Sequence, residues 1–454
     1  MEFRKVKAGF VGFGEVNSPH ELIERKCLAA QKALETQGIE LVTAAPVSDD
    51  PQGNAEAQAR NELAREDFDL LVVCLAGWIP SHSVIDVISP FAHKPMVLWG
   101  LTGYYEGDRL VTTADQAGTS ALRDPMEALG FKFKYVYDSP DAPYQAADQV
   151  KRFCEVARAA ALLKGSRIGM MGYRDMKLHA TLMDGVSLRR VVGTEVEVFD
   201  TLEVFQLMQT FDPLAVRGVA EIVAKTWVCD RPLTYEVLEN SIRLYLGVME
   251  KVKERGYQAI SLVDVDGVKK LLRFTPAAAM KLLSDLGHLA TIPENDVPGA
   301  VTQLMVRFLT GQVAAYFEFY EFYKDRVLVG VPDYVPNEVV DGPVRVRLTK
   351  FGLLSEGILD VSKVKTGRVT LCRLASRGDR YRMHVVTGEA LAPRKWEEAG
   401  WEPPAPQLPS LEVVLDITVE EFAQQVLGQH YIIAYGDQRH QIEDLCQLLN
   451  IHII

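Results

Sequence analysis

Short apolar runs alternate with longer segments of helical period over the first third of the chain. Runs at 8–13, 39–44, 70–76, 96–99 and 131–137 predict strands, and the stretches between them, such as 21–36, predict helices. Strand and helix in alternation specify a parallel sheet covered by helices, so residues 1–163 are expected to form a doubly wound α/β domain. The same rhythm resumes at Lys164-Gly165. Runs at 166–172, 195–199 and 259–263 predict strands, Tyr173-Arg174-Asp175-Met176 predicts the start of a helix, and 233–255 predicts a long one.

From residue 288 the chain predicts strand, tight turn, helix and strand. Residues 288–292 are apolar, and Pro293-Glu294-Asn295-Asp296 is turn chemistry. Pro298 suits a first helical turn, Val301, Leu304, Met305, Phe308 and Leu309 repeat on one helix face, and Gly311 ends it. A β-rich run at 313–319 and another at 326–331 complete a second doubly wound α/β domain, residues 164–335. Beyond Pro332 short alternating runs at 344–348, 368–374, 380–386 and 411–417 are punctuated by Gly, Pro and charge, which predicts a smaller antiparallel, barrel-like β domain over 336–454. A helix at 441–450 follows, with Ile442, Leu445, Cys446 and Leu449 on one face.

Composition narrows the classes. With 49 basic and 61 acidic residues the net charge is −12, and no basic stripe interrupts it, which argues against nucleic acid and anionic membrane surfaces as partners. The opening MEFRKVKAGFVGFGEV has too short an apolar part for a signal peptide, and no segment approaches the ~20 apolar residues of a membrane helix. Six scattered cysteines, with no CxxC pair, read as reduced thiols of a cytoplasmic protein. GFVGFGEVN fails as a dinucleotide loop: the spacing is not GxGxxG, and no acidic residue ends the second strand.

Two carboxylates stand out. Glu294 lies at a strand end before a helix, and Glu318 interrupts the apolar run AAYFEFY. A βαβ unit would place their strands side by side in parallel, and a carboxylate buried in such a run needs a cation. Glu294 also reads as a first-turn acid favoured by the helix dipole, and Glu318 as an outward residue of an edge strand. A third segment, GQHYIIAYGD, starts a strand with His430.

Together ENDVPGAVTQLMVRFLTG, the following acidic strand, and QHYIIAYGD with QIEDLCQLLNI resemble the L-fucose isomerase/L-arabinose isomerase superfamily, over roughly residues 256–331 and 427–451. The resemblance implies a divalent ion, Mn²⁺ or alternatively Mg²⁺ or Co²⁺, held by Glu294, Glu318 and His430. The chain departs from the fucose isomerase pattern in having Gln429 for an asparagine, Asp437 for a second histidine, and Glu318 for an aspartate. The further histidine of arabinose isomerases has no counterpart in VLVGVPDYVP. Two carboxylates and an imidazole suit such a hard or borderline ion. The implied activity is aldose–ketose isomerisation of an open-chain sugar through a cis-enediol, with Glu294 and Glu318 as the proton-transfer pair and the order of their roles open.

Lesser candidates surround these. Asp264 and Asp266 end a predicted strand as further carboxylates or as a plain turn, and Gln429 precedes the histidine. Trp396 and Trp401 lie on a loop that lines a sugar site or plugs a barrel end. His288 reads as a packed core histidine. Trp78, on a loop at the carboxyl edge of the first sheet, covers the core or is offered to a partner. Fucose-type isomerases close each pocket with a neighbour's N-terminal domain, so the resemblance implies a homo-oligomer, trimer or hexamer, with Trp78 over the neighbouring subunit's substrate. Two other classes compete: a non-catalytic sugar-binding or regulatory protein of the same fold, and a nucleotide-dependent oxidoreductase.

Overall fold

The computed structural model describes residues 4–15, 17–229, 232–351, 355–394 and 408–454. The chain divides into two compact units, Glu2–Ala161 and Leu162–Ile454. It is a mixed α/β protein with parallel sheets and, toward the C-terminus, a closed antiparallel barrel of six strands. No helix among the described residues is long and apolar enough to cross a membrane.

In the first unit the five expected strands form one parallel sheet, ordered Glu40–Thr43, Lys7–Phe13, Leu70–Leu75, Met96–Gly100, Phe133–Tyr137. Every residue of Leu70–Leu75 and Met96–Gly100 is buried, because a central parallel strand is covered on both faces. The glycines of GFVGFGEVN serve packing: a Cβ on Gly12 would lie 2.2 Å from Cys27 Sγ of the following helix, His20–Thr36.

The second unit opens with a four-stranded parallel sheet, ordered Ala290–Ile292, Ala259–Leu262, Arg167–Met171, Glu195–Phe199. The helix expected from residue 173 does not form there. Asp175–Lys177 is a single 3₁₀ turn, with φ of 43° at Met176 and 57° at Lys177. The Asp175 carboxylate accepts the N–H groups of Met176 (2.9 Å), Val265 and Asp266 (both 2.8 Å), so it ties this loop to the next strand's loop instead of starting a helix.

The strands carrying Glu318 and residues 327–330 also differ from expectation. Ala315–Phe322 and Val327–Gly330 belong to the barrel, not to the parallel sheet. Between them Tyr323 N–H donates to Arg326 O at 2.8 Å, closing a tight hairpin turn. A hairpin makes antiparallel neighbours, whereas parallel ones need a long crossover. The barrel closes through Gly367–Arg377, His430–Tyr435, Ala315–Phe322, Val327–Gly330, Ser410–Leu415 and Arg380–Leu391, the last pairing with the first. Arg345–Phe351, expected within it, instead forms a separate three-stranded sheet with Ser355–Asp360 and Val228–Cys229.

The helix Val297–Thr310 joins the two layers. It packs on Ala290–Ile292 and Ala259–Leu262 on one side and on Gly367–Arg377 and His430–Tyr435 on the other. Residues 297–309 are consequently all buried, polar ones included. Each of these polar side chains has a partner: Thr302 Oγ1 donates to Pro298 O (2.7 Å), Gln303 Nε2 to Ala314 O (2.8 Å), and Arg307 to His288 O (2.6 Å). His288, expected in the core, is exposed and has φ of 49°.

His384 sits inside the barrel, with Nδ1 2.7 Å from Tyr431 Oη and its ring stacked on Phe422. Burial lowers its pKa from 6.5 to about 4, with Arg382 adding to the effect. The unfolded chain takes up this proton near pH 6.5 and the folded one only near 4. His384 therefore contributes stability above 6.5 that is lost as pH falls toward 4, roughly 3 kcal/mol in full. Thermal unfolding of the parent protein and of His384→Phe across that window should show the shallower acid dependence in the variant.

Candidate functional site

The site begins with a strained turn. After Ala290–Ile292, Glu294 and Asn295 take φ of 62° and 49°, consecutive left-handed residues that are not glycine. Such conformations persist only where neighbours hold them. Here Glu294 N–H donates to Asp264 Oδ1 (2.7 Å), Asn295 N–H to Leu262 O (3.1 Å), and Asn295 Nδ2 to Met171 O (3.0 Å) and Tyr173 O (2.6 Å). Asp296 then caps the helix, accepting Gly299 N–H at 3.1 Å. A Cβ at residue 299 would lie 2.6 Å from Asp296 Oδ2, so the cap requires glycine there.

The other two residues come from the barrel wall. Glu318 and His430 stand directly opposite each other in the antiparallel pairing of Ala315–Phe322 with His430–Tyr435. Ala315, Phe317, Tyr431 and Ile433 point into the barrel core, so by alternation Tyr316, Glu318 and His430 point to its outer face. There His430 Nδ1 lies 3.6 Å from Glu294 Oε2 and His430 Nε2 lies 3.6 Å from Glu318 Oε2. Gln429 Nε2 is 3.4 Å from Glu294 Oε2. The Tyr316 ring stacks on His430 with centroids 4.4 Å apart and planes 20° apart. Tyr316 Oη donates to Asp296 Oδ2 (2.8 Å), and Arg373 grips the same carboxylate with both terminal nitrogens, Nη2 to Oδ1 at 2.9 Å.

The electrostatics follow from burial. Glu294 is pushed up to about 9 by burial and then by the charges of Asp264, Glu318, Asp296 and Asp333. Glu318 is pushed up to about 7, again by burial first and Asp333 next, with Lys269 opposing. Burial lowers His430 to about 3, so its imidazole is neutral. Asp296 is the exception: burial raises it, but Arg373 more than offsets this and holds it below the usual carboxylate range. Lys269 bridges Asp264 and Asp333, at 2.9 Å from each.

The donor set bears on the divalent ion that the resemblance implies. Among the described residues Asp264, Glu294, Asp296, Glu318 and Asp333 are matched by two cations, Lys269 and Arg373, and the imidazole beside them is neutral. Asn295 Oδ1 is buried with no hydrogen-bond partner. Carboxylates short of positive charge beside a neutral imidazole are a donor set that fits a divalent cation. The fit is one of chemistry and charge, not of preassembled geometry. Glu294 and Glu318 face different nitrogens of one ring, and among the described residues no group of three or more His, Cys, Asp or Glu is arranged to hold a metal ion.

The remaining candidates separate. Asp264 supports Glu294 from behind. Asp266 accepts Met176 N–H (2.9 Å) and pairs with Lys270 (2.6 Å), a brace between loops. Trp78 is 39% exposed in the first unit, its backbone N–H donating to Thr113 O at 2.8 Å. Trp396 and Trp401 lie outside the described residues. Sequence reasoning missed Tyr316, Asp296 and Arg373. Tyr316 shares the alternation of Glu318, and Arg373 is a lone cation inside the apolar run VTLCRLA, a signal that was present but had no local partner to explain it.

No protein-family profile matches the chain, and no curated protein does. Among solved structures it aligns with a two-component system response regulator/GGDEF domain protein at 13% identity, covering 66% of this chain and 98% of that one, TM-score 0.23. It also aligns with a periplasmic solute-binding protein of an ABC transporter from Actinobacillus succinogenes with bound D-allose, at 14% identity, covering 68% of this chain and 92% of that one, TM-score 0.18. At these TM-scores neither likeness bears on fold or function.

Proposed function

We propose that this protein is a divalent-metal-dependent aldose–ketose isomerase, similar to L-fucose and L-arabinose isomerases, acting on an open-chain sugar. The observation that carries the reading is the convergence of two half-buried carboxylates on one buried, neutral imidazole from positions as distant as 294, 318 and 430. The doubly wound form of the two parallel sheets belongs to the same reading. Glu294, Glu318 and His430 would hold the ion, Mn²⁺ in preference to Mg²⁺ or Co²⁺, and Gln429 would orient Glu294. The bound ion would supply Lewis acidity for the negative charge that develops on the sugar. Of the two carboxylates, one takes the C2 proton and returns it at C1, while the other moves the hydroxyl proton between O2 and O1, so that the sugar passes through a cis-enediol.

A screen of aldoses with added Mn²⁺ tests this. Ketose should form from at least one of them, and chelation should abolish it. Absence of turnover across the panel, with unchanged behaviour on chelation, overturns the reading. A second reading, a non-catalytic sugar-binding protein, draws on the two carboxylates facing different ring nitrogens. Saturable sugar binding without ketose formation would select it.

The proposal extends to assembly. A homo-oligomer, trimer or hexamer, would bring Trp78 of one copy over the substrate of the next, which is what its exposure supports. Trp78→Ala should raise KM on the true substrate several-fold. A fully active monomer by light scattering, or unchanged KM and kcat in the variant, removes this part.

A further inference from the structure

Something must fix the plane of the His430 ring. The usual device is a hydrogen bond from one ring nitrogen to a carbonyl or carboxylate, which sets both tautomer and orientation. Here each nitrogen faces a carboxylate at 3.6 Å, beyond hydrogen-bond reach. The torsion that rotates an imidazole is broad, so two distant carboxylates would leave it loose. The close partner is the Tyr316 ring, nearly parallel at 4.4 Å.

Tyr316 is itself held. It is 5% exposed, and its hydroxyl donates to Asp296, which is fixed in turn by the Gly299 N–H and both terminal nitrogens of Arg373. Asp296 lies two residues past Glu294 on the same strained turn, while Tyr316 lies two residues before Glu318 on the same strand face. One hydroxyl thus connects the turn that carries Glu294 to the barrel wall that carries Glu318 and His430.

We propose that Tyr316 is the positioning residue of this site: its ring sets the plane of the His430 imidazole, and its hydroxyl bond to Asp296 registers that plane against Glu294, so that Nδ1 is kept toward Glu294 and Nε2 toward Glu318. This rests on the reading of Glu294, Glu318 and His430 as the active site. The positioning itself is a property of the protein without substrate.

The test is NMR on the full chain with ¹³C-labelled histidine, His430 being assigned by its absence from His430→Asn. In the unmutated protein the His430 ring should give one set of resonances displaced upfield by the Tyr316 ring current. Tyr316→Phe keeps the stack and loses the hydroxyl, so the upfield displacement should remain while the signals broaden or double. Tyr316→Leu should lose the displacement altogether. Mn²⁺ affinity, followed by EPR, should fall about 10-fold in Tyr316→Phe, as for other residues that orient a ligand from behind. Multiple His430 signals in the unmutated protein overturn the proposal without any variant. So do ring signals and Mn²⁺ affinity unchanged in Tyr316→Phe. Altered ring signals in a protein that turns over no aldose would uphold the positioning and remove the isomerase reading instead.

Discussion

Replacing Glu294 or Glu318 with glutamine should lower kcat on the true substrate by roughly 10²–10⁴-fold, the range for losing a general acid or base, while leaving the fold intact. The two effects separate because of burial. Without a cation, burial and its acidic neighbours keep Glu294 protonated up to about pH 9. A neutral glutamine of nearly the same shape therefore introduces no new buried charge. Loss of activity with retained thermal stability would place both groups in the chemistry, whereas parallel loss of both would reduce them to structural acids. Turnover in D₂O adds a check on mechanism. Proton transfer through an enediol exposes the abstracted hydrogen to solvent, so deuterium should appear at the reacting carbon of the ketose. Full retention of the original hydrogen would point to a hydride shift and sink the proton-transfer assignment.

The largest loss of stability should come from Arg373→Met. Arg373 and Asp296 are 1% and 0% exposed, and the pair joins the barrel to the turn that starts the central helix. Removing one partner of a buried pair leaves the other charge uncompensated, at a cost of about 3–5 kcal/mol. The Asp296 carboxylate would keep only Tyr316 Oη and the Gly299 N–H as donors. The double variant Arg373→Met with Asp296→Asn should recover part of the loss, because no buried anion then remains. Equal losses in the single and double variants would show that Arg373 contributes packing alone. Thermal unfolding followed by circular dichroism is sufficient to decide between them.

The first sheet was fully legible from the pattern of apolar runs. Its strands are local in sequence, buried on both faces, and separated by helices with their own period, so neighbouring residues carried all the information needed. The helix after Glu294 was legible for the same reason, down to its stop at Gly311, which takes φ of 75°. Two of the three candidate residues were legible as residue types out of place, Glu318 as a carboxylate in an apolar strand and His430 as a histidine at the start of another, while Glu294 was legible only as an acid on the turn before a helix.

What only the tertiary structure decided was which strands pair. Ala315–Phe322 has the composition of a strand buried in either kind of sheet. Its membership of the barrel depends on the hairpin at 323–326 and on a partner, His430–Tyr435, more than a hundred residues away. That pairing places Glu318 opposite His430, where the expected parallel arrangement would have set Glu318 beside Glu294. The helix expected at 173 likewise lost to a long-range competitor, because Asp175 binds the N–H groups of Val265 and Asp266. Arg373, Asp296 and Tyr316 lie at 373, 296 and 316 and meet only once the barrel closes on the central helix. Periodicity reports the environment of a residue relative to its own neighbours. Registration between distant strands is set by backbone pairing, turn geometry and which face is buried, and here that pairing sets Glu318 opposite His430 while side-chain bonds to Asp296 tie the barrel to the turn.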